Sequence, residues 1–274
     1  GTAAGSFRFS LGLDSPFDAT VDPTNGVFRW RPGCGYGSTT NQVTIWVTDS
    51  ARTNISDAMT FTVVVGECVQ PQLGRLVLGA GETGRLPINL ISTVALTNVS
   101  MVVTVPPERL TNLNVEAVAP EICTNAAIAA LTNGLYALAF ATCSNQWLIG
   151  TQQVAWLYVT AVPHQSSAFV PVTIGDLLGV QPDGTVVSNL FAQGGRVVIV
   201  GEEPLLEALR STTGLVQLLL YAQTETTNIL QAASMLPAEG LWSSRQQVTM
   251  TNLLQALAPL PATNRMLFFR ALRQ

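Results

Sequence analysis

Residues 122–143 read ICTNAAIAALTNGLYALAFATC and contain the clearest β-hairpin signal in the chain. The dipeptide Asn133-Gly134 stands between two runs of β-prone residues, and Asn-Gly is strongly favoured in two-residue hairpin turns. We therefore predict two antiparallel strands joined at this turn, in a register that places Leu131 opposite Leu135.

The four cysteines predict two disulfides and an oxidising compartment. In the hairpin register Cys123 falls opposite Cys143, and opposed residues lie at the separation a disulfide requires. The other pair, Cys34 with Cys68, follows mainly by elimination, and both residues lie at expected strand ends. No Cys-x-x-Cys occurs and His164 is the only histidine, which argues against a zinc site. Four reduced, buried thiols in a cytosolic protein are the alternative.

Outside the hairpin, strand patterns recur about every 8–12 residues with turn residues between them. Helical periodicity is weak, with its best candidate at residues 204–210 and a short turn at 107–110. This spacing favours an all-β fold of tandem β-sandwiches. Domain boundaries are expected at residues 66–72 and 201–214.

The composition argues against several classes of function. Charged residues make up 11% of the chain, against about 25% in an average soluble protein. The net charge is −4 and every basic residue is an arginine, so we expect no nucleic-acid partner and no lysine chemistry. The mean hydropathy is +0.34, but no run of about 18 apolar residues occurs, so we expect no membrane span. If the protein is secreted, we expect its leader to lie upstream of Gly1.

Residues 6–65 resemble the Ig-like, cadherin-like modules of bacterial surface proteins. The resemblance rests on PFDATVDPTNGVFRWRP at residues 16–32 and on Val47-Thr48-Asp49. Such modules begin with one or two strands before the one that corresponds to Phe9-Ser10-Leu11. The first domain is therefore expected to lack its first strands and to expose a sheet edge that a neighbouring subunit fills by β-augmentation.

Two further resemblances cover the rest of the chain. A cohesin-type sandwich, as found in carbohydrate-binding and scaffolding proteins, is indicated by segments at 81–90, 101–106, 154–162, 183–185 and 195–200. A small C-terminal β module of large secreted proteins from planctomycete- and verrucomicrobium-like bacteria is indicated by segments at 230–234, 242, 251–252 and 264–271. The resulting domains are 1–68 (Ig/cadherin-like), 69–201 (cohesin-like) and 202–274 (small β module).

Catalytic groups do not form a recognisable pattern. His164 lies in a loop with Ser166 and Ser167, but no Gly-x-Ser-x-Gly nucleophile elbow is present. A glycosidase pair could include Glu116 and Glu121, but surface carboxylates are the simpler interpretation. We predict no enzyme and no catalytic residue.

Calcium is the one ion that the cadherin-like resemblance implies. Asp49 with Asp57, and Asp176 with Asp183, could supply part of an oxygen shell, although no EF-hand spacing occurs. Aspartates that cap turns are the alternative, so our hypothesis is that no cofactor is required and calcium is possible.

Tryptophans on sandwich strands are usually core residues. Trp147 is the exception, because it lies in an expected loop beside Cys143, and it is our candidate for ligand binding.

We predict a non-enzymatic extracellular structural or adhesion protein that assembles into filaments or a surface layer by strand addition. The alternative is a cohesin-like protein-binding module or a carbohydrate-binding module of a larger secreted protein. The expected partners are other copies of the chain or a neighbouring surface protein, with polysaccharide as a further possibility.

Overall fold

The computed structural model describes residues 7–123, 126–210, 215–233, 242–261 and 268–274. Within these ranges the only helical elements are two single-turn 3-10 helices, Cys34–Tyr36 and Pro120–Ile122. No helix among them has the length and apolar character needed to cross a membrane. The predicted all-β class with tandem sandwiches is confirmed. The three domain limits stay a prediction.

The first strands form a three-stranded sheet and a two-stranded ribbon. They are β1 (Phe7–Leu11), β2 (Thr20–Val21), β3 (Phe28–Arg29), β4 (Thr40–Asp49) and β5 (Arg52–Val64). The sheet has the order β1-β4-β5, and β2 pairs with β3. The expectation that strands are missing before β1 stays a prediction, because residues 1–6 lie outside the described ranges.

The ribbon packs on one face of the three-stranded sheet. The Phe28 ring meets the Phe61 ring edge-on, with the ring centroids 5.4 Å apart. Gly26 has φ +73°, and a Cβ there would lie 2.9 Å from the Phe9 ring. The turn between β2 and β3 therefore needs glycine both for its left-handed backbone and for its close approach to β1.

The central segment is a two-layer sandwich. Its strands are β6 (Val69–Leu73), β7 (Arg75–Gly79), β8 (Thr83–Leu96), β9 (Asn98–Thr104), β10 (Leu110–Ala117), β11 (Ala126–Thr132), β12 (Leu135–Ala141), β13 (Leu148–Ala161), β14 (Ala168–Val180) and β15 (Gly195–Val200). One layer has the order β10-β13-β8-β6, and the other has the order β11-β12-β9-β14-β15-β7. The β15–β7 pair is parallel, and the other ladders of the sandwich are antiparallel.

The core lies between these two sheets. Leu86 and Leu157 come from the four-stranded sheet, Met101 and Phe140 come from the six-stranded sheet, and each is at most 2% exposed. Because side chains alternate across a strand, every second residue of these strands points into this core and its neighbours point outward.

The last segment adds two smaller sheets. Its strands are β16 (Leu205–Arg210), β17 (Leu215–Tyr221), β18 (Thr227–Ala233), β19 (Ser243–Thr249), β20 (Leu254–Ala256), β21 (Leu260–Pro261) and β22 (Phe268–Arg273). The orders are β16-β17-β20, with β21 also on β17, and β19-β18-β22. Part of the sequence pattern predicted for this module, residues 234 and 264–267, lies outside the described residues.

The helix expected at residues 204–210 is wrong. Residues 205–210 form β16, which pairs with β17 from Leu205↔Tyr221 to Arg210↔Val216. Leucine, glutamate and alanine favour a helix, but intrinsic propensity is a weak influence, and the apolar contacts of Leu205 and Leu206 in the sheet outweigh it.

Both predicted disulfides are present. The Cα atoms of Cys34 and Cys68 are 5.4 Å apart, and those of Cys123 and Cys143 are 6.2 Å apart. The first bridge joins the 3-10 turn before β4 to the residue before β6, so it ties the first segment to the central sandwich. Both of its cysteines are buried.

The hairpin register differs at the turn from the one expected. The predicted Leu131–Leu135 pair is wrong, because Thr132 pairs with Leu135, and Ala130 pairs with Tyr136. Leu131 is therefore the extra residue of a bulge and is 55% exposed. Beyond the bulge the expected register holds from Ala130 back to Ala126, although Cys123 ends a 3-10 turn rather than lying on the strand.

An ion-pair cluster joins the central sandwich to the last segment. The Arg196 guanidinium donates two hydrogen bonds of 2.8 Å to the Glu207 carboxylate, and the Tyr221 hydroxyl donates a third of 2.7 Å. Val198 and Val200 pack with Tyr221 in the same interface. This is why the run Val197–Val200 is buried on both sides of β15.

Loss of the Cys34–Cys68 bridge should destabilise the protein. The Cys34→Ala/Cys68→Ala variant should unfold with a free energy about 4 kcal/mol lower, because the bridge closes a long loop in the unfolded chain. Urea denaturation of both proteins measures the difference. The Cys123→Ala/Cys143→Ala variant is the matched control and should lose about 3 kcal/mol. Equal stability of the wild type and the Cys34→Ala/Cys68→Ala variant would contradict a structural role for the first bridge.

The Tyr221 cluster should make stability fall at alkaline pH. Burial, with the hydrogen bond to Glu207, raises the pKa of Tyr221 from 10.0 to about 12. A raised tyrosine pKa means that folding favours the neutral phenol, so its stabilisation is complete below pH 10 and is lost between pH 10 and 12. Urea unfolding at pH 9 and pH 11 should show a larger loss for the wild type than for Tyr221→Phe. Equal losses of stability between pH 9 and pH 11 in the wild type and in Tyr221→Phe would contradict this role of Tyr221.

Candidate binding surfaces

The outer face of the six-stranded sheet carries small, uncharged side chains. We call this surface, formed by β11, β12, β9 and β14, the alanine face. Paired residues form rows across it: Ala129–Ala137–Val102–Gly175, Ala127–Ala139–Ser100–Leu178, and Leu135–Thr104–Thr173. Neighbours of these residues in the same strands, such as Met101 and Phe140, point into the core.

The alanine face is open and nearly without charge. Asp176 is the only charged residue in the sequence of its four strands, and it lies at a bulge with φ +44°. A Cβ built on Gly175 meets no atom within 4 Å, and Leu178 is 41% exposed. Small side chains on paired strands make a flat surface on which a partner can come close to the backbone.

Strand β11 forms one edge of the alanine face. It pairs with β12 on one side and with no described strand on the other. Its sequence, Ala126–Thr132, contains no lysine, proline or charged residue, the features that usually protect an edge strand from pairing with another chain. The edge therefore extends the docking area of the face.

The outer face of the four-stranded sheet has the opposite chemistry. We call it the amide face, and its rows are Glu116–Trp156–Pro87, Asn114–Tyr158–Arg85, Gln153–Asn89–Gln72 and Thr151–Ile91–Gln70. It combines two aromatic rings, five side-chain amides, one cation and one anion.

The aromatic pair on β13 is held by charged neighbours. The guanidinium carbon of Arg85 lies 4.4 Å from the Trp156 ring centroid, and the Tyr158 hydroxyl donates to the Glu116 carboxylate. Tryptophans on sandwich strands are usually core residues, but Trp156 is not: both rings are only half-buried on the outer surface. Their two-residue spacing on either side of the buried Leu157 was the sequence signal that placed both on one face.

Strand β5 is a long exposed edge of the first sheet. The Val65 N–H donates to the Thr39 carbonyl, so odd-numbered residues of β5 direct their backbone groups toward β4. Even-numbered residues, including Thr60, direct theirs to the free side. Met59 and Val64 are 69% and 75% exposed, and no described strand pairs with β5 on this side. Among the described residues this edge therefore offers both unpaired backbone groups and apolar side chains.

The calcium candidates do not form a cluster. Asp49 accepts hydrogen bonds from the Ala51 and Arg52 N–H groups, and the Ala51 contact is the main cause of its lowered pKa. The Thr185 N–H likewise lowers the pKa of Asp183. Asp57 and Asp176 are exposed. These hydrogen bonds make Asp49 and Asp183 turn caps. Among the described residues no three histidine, cysteine or acidic side chains converge on one point, and calcium binding stays a prediction.

Trp147 lies where the sequence placed it, in the loop before β13. It is 46% exposed and follows Asn145, which has φ +61°. The strand spacing puts it about 30 Å along the chain from Trp156. A role for Trp147 in ligand binding stays a prediction.

The His164 loop lines a polar cleft of about 530 Å³ with Glu202, Glu203 and Gln223. The Ser167 hydroxyl is bonded to backbone groups of Gly201 and Glu203. Within the described part of the chain no hydrogen bond joins His164 to a serine. This cleft therefore has no nucleophile–base pair of the kind that acyl transfer requires.

No family model and no curated protein matches the sequence. Among solved structures, CaCohA2 from Clostridium acetobutylicum has a TM-score of 0.44 at 13% identity, over 49% of this chain and 92% of its own. A chain of the type I cohesin–dockerin complex Coh-OlpC–Doc435 from Clostridium thermocellum has a TM-score of 0.43 at 12% identity, over 48% and 93%. A non-cellulosomal cohesin from Archaeoglobus fulgidus has a TM-score of 0.39 at 14% identity, over 48% and 90%. At these values the chain is similar to cohesins over half its length, and the similarity carries no argument about function.

Proposed function

We propose that this chain is a non-catalytic, extracellular protein-binding module whose partner docks on the alanine face. The observation that carries the proposal is the open, almost charge-free surface of four paired strands. Two disulfides support an oxidising location. The sequence resemblances to Ig/cadherin-like and cohesin-like modules support the same class of function.

The chemistry of the alanine face suits a folded protein partner. Charged residues are depleted at the buried centres of protein interfaces, and here they are almost missing from four neighbouring strands. Exposed surfaces of this kind mark interaction sites when they exceed a few hundred Å². Strand spacing gives the face about 20 Å by 24 Å, which can hold the centre of an interface that buries about 800 Å² per partner.

The binding partner that suits the alanine face is a protein with a flat, neutral and apolar contact surface. Nucleic acid and acidic ligands find no cation on this face, because none of its four strands contains an arginine. Alanine, serine and glycine lose little side-chain entropy on binding. Affinity would therefore come from close packing against the backbone.

Ala139→Arg should strongly weaken this binding. The substitution places a cation at the centre of the face, where a docked partner would bury it without a counter-ion and weaken binding about 100-fold or more. Proteins secreted alongside this chain would be captured on the wild type and on the variant. Each protein that only the wild type retains would then be purified and titrated by calorimetry.

Thr151→Arg is the matched control, because it adds the same cation to the exposed edge of the amide face. It should bind each purified partner like the wild type. The proposal fails if no purified partner distinguishes Ala139→Arg from Thr151→Arg.

Self-association through β5 is a second candidate function. The free backbone groups of this edge and its exposed Met59 and Val64 favour it. Two copies could pair β5 with β5 about a two-fold axis, so that each unpaired edge satisfies the other. This arrangement is strand addition between copies, but it closes a dimer, so a filament or surface layer needs a second contact, such as the edge before β1 where the sequence predicts strand addition.

Thr60→Pro should weaken such association about tenfold or more. Proline removes an N–H that points to the free side, and a two-fold pairing loses that bond twice. The β4 ladder keeps its bonds, since proline is tolerated on edge strands. Sedimentation velocity over a concentration series measures the effect. Thr60→Ala is the control, because it removes only the contact of 2.9 Å between the Thr60 and Thr44 hydroxyls. A wild type that stays monomeric, or a proline variant that associates equally, would rule this candidate out.

A further inference from the structure

We propose that the amide face binds a neutral polysaccharide chain, with Trp156 and Tyr158 as its aromatic contacts. This site lies on the sheet opposite the alanine face and does not depend on the function proposed for that face. No residue of one surface belongs to the other, so the two can fail or succeed separately.

The two rings provide apolar contacts on a polar sheet. Trp156 and Tyr158 lie two residues apart on β13, so they stand on one face about 7 Å from each other along the strand. Sugar rings present C–H groups that pack on aromatic surfaces, and tryptophan and tyrosine supply large contact area with few rotatable bonds. Neither ring is in the core, where sandwich tryptophans usually lie.

The amides around the rings are free to bind hydroxyl groups. Within the described part of the chain, the side chains of Asn89, Asn114, Gln70 and Gln72 make no hydrogen bond, whereas many polar side chains elsewhere do. Each amide offers an acceptor and two donors. A sugar hydroxyl both donates and accepts, so a row of amides can serve successive sugars.

The charges of the face fit a neutral ligand. Arg85 and Glu116 carry opposite charges, and no other charged residue stands in the four rows. Each is coupled to an aromatic ring, Arg85 by stacking on Trp156 and Glu116 by accepting from Tyr158. These contacts fix the orientation of the rings before binding, which lowers the entropy cost of holding a ligand.

A flat face favours an extended polysaccharide over a short, branched glycan. The rows cross four paired strands of an open sheet surface, so a ligand lies on the surface and gains contacts by length. A single sugar would reach only one ring and a few amides. Binding should therefore increase with chain length.

Affinity electrophoresis of the whole chain through gels containing xylan, soluble β-glucan or alginate tests the proposal. The wild type should be retarded by at least one neutral polymer, and Trp156→Ala/Tyr158→Ala should bind it ~10-fold more weakly or worse. Trp46→Ala is the matched control for loss of an exposed tryptophan, because Trp46 is 42% exposed on β4, outside the amide face, and this variant should bind normally.

Circular dichroism checks that the double variant folds. If it does not fold, Asn114→Ala/Gln72→Ala takes its place, because these exposed and half-buried amides lie outside the core and should weaken binding several-fold. Retardation only by alginate, no retardation by any polymer, or full retention of binding by the folded variants would each overturn the proposal.

Discussion

The two sheets of the central sandwich must bury one face of every strand, and this constraint governs the rest of the structure. Leu86, Met101, Phe140 and Leu157 fill the space between the sheets, and their spacing along each strand is fixed by the two-residue period. The inner residues cannot vary without a cavity or a clash. The outer residues are free of that constraint, so their chemistry is the part of the sequence that function can shape.

The outer faces of the two sheets differ in their side-chain chemistry. On one sheet the outward positions are uncharged and mostly small, with alanine, serine, glycine, valine, threonine and leucine; on the other, amides, two aromatic rings and a pair of opposite charges stand out. Ordinary solvent-facing strands carry mixed charges, which keep sheets soluble and apart. The alanine face lacks that protection, whereas the amide face is polar yet holds two rings in half-buried positions. Binding partners explain the chemistry of both outer faces better than a contribution to folding stability does.

The sequence was sufficient for the class of fold, the Asn133-Gly134 turn and the Cys123–Cys143 bridge, because each depends on local spacing, and the Cys34–Cys68 bridge followed by elimination. It was insufficient where two physical demands compete. The segment 205–210 has helix-favouring residues but pairs with β17, a contact that no local pattern contains. Leu131 is expelled into a bulge that turn statistics do not specify. Trp156 alternates correctly with Leu157, but alternation alone does not say which of two faces is the buried one. That choice depends on the opposite sheet.

The two outer faces lie on opposite sides of a core about 10 Å thick, so ligands bound to them contact different sides of the sandwich. The Arg196–Glu207–Tyr221 cluster and the Cys34–Cys68 bridge tie the flanking segments to this same sandwich. A protein partner on one side and a polysaccharide on the other would then be held at a fixed distance by a stiff support. Linking two weak sites in this way raises the effective concentration of each ligand near the other, which is how a module with modest individual affinities can act as a connector.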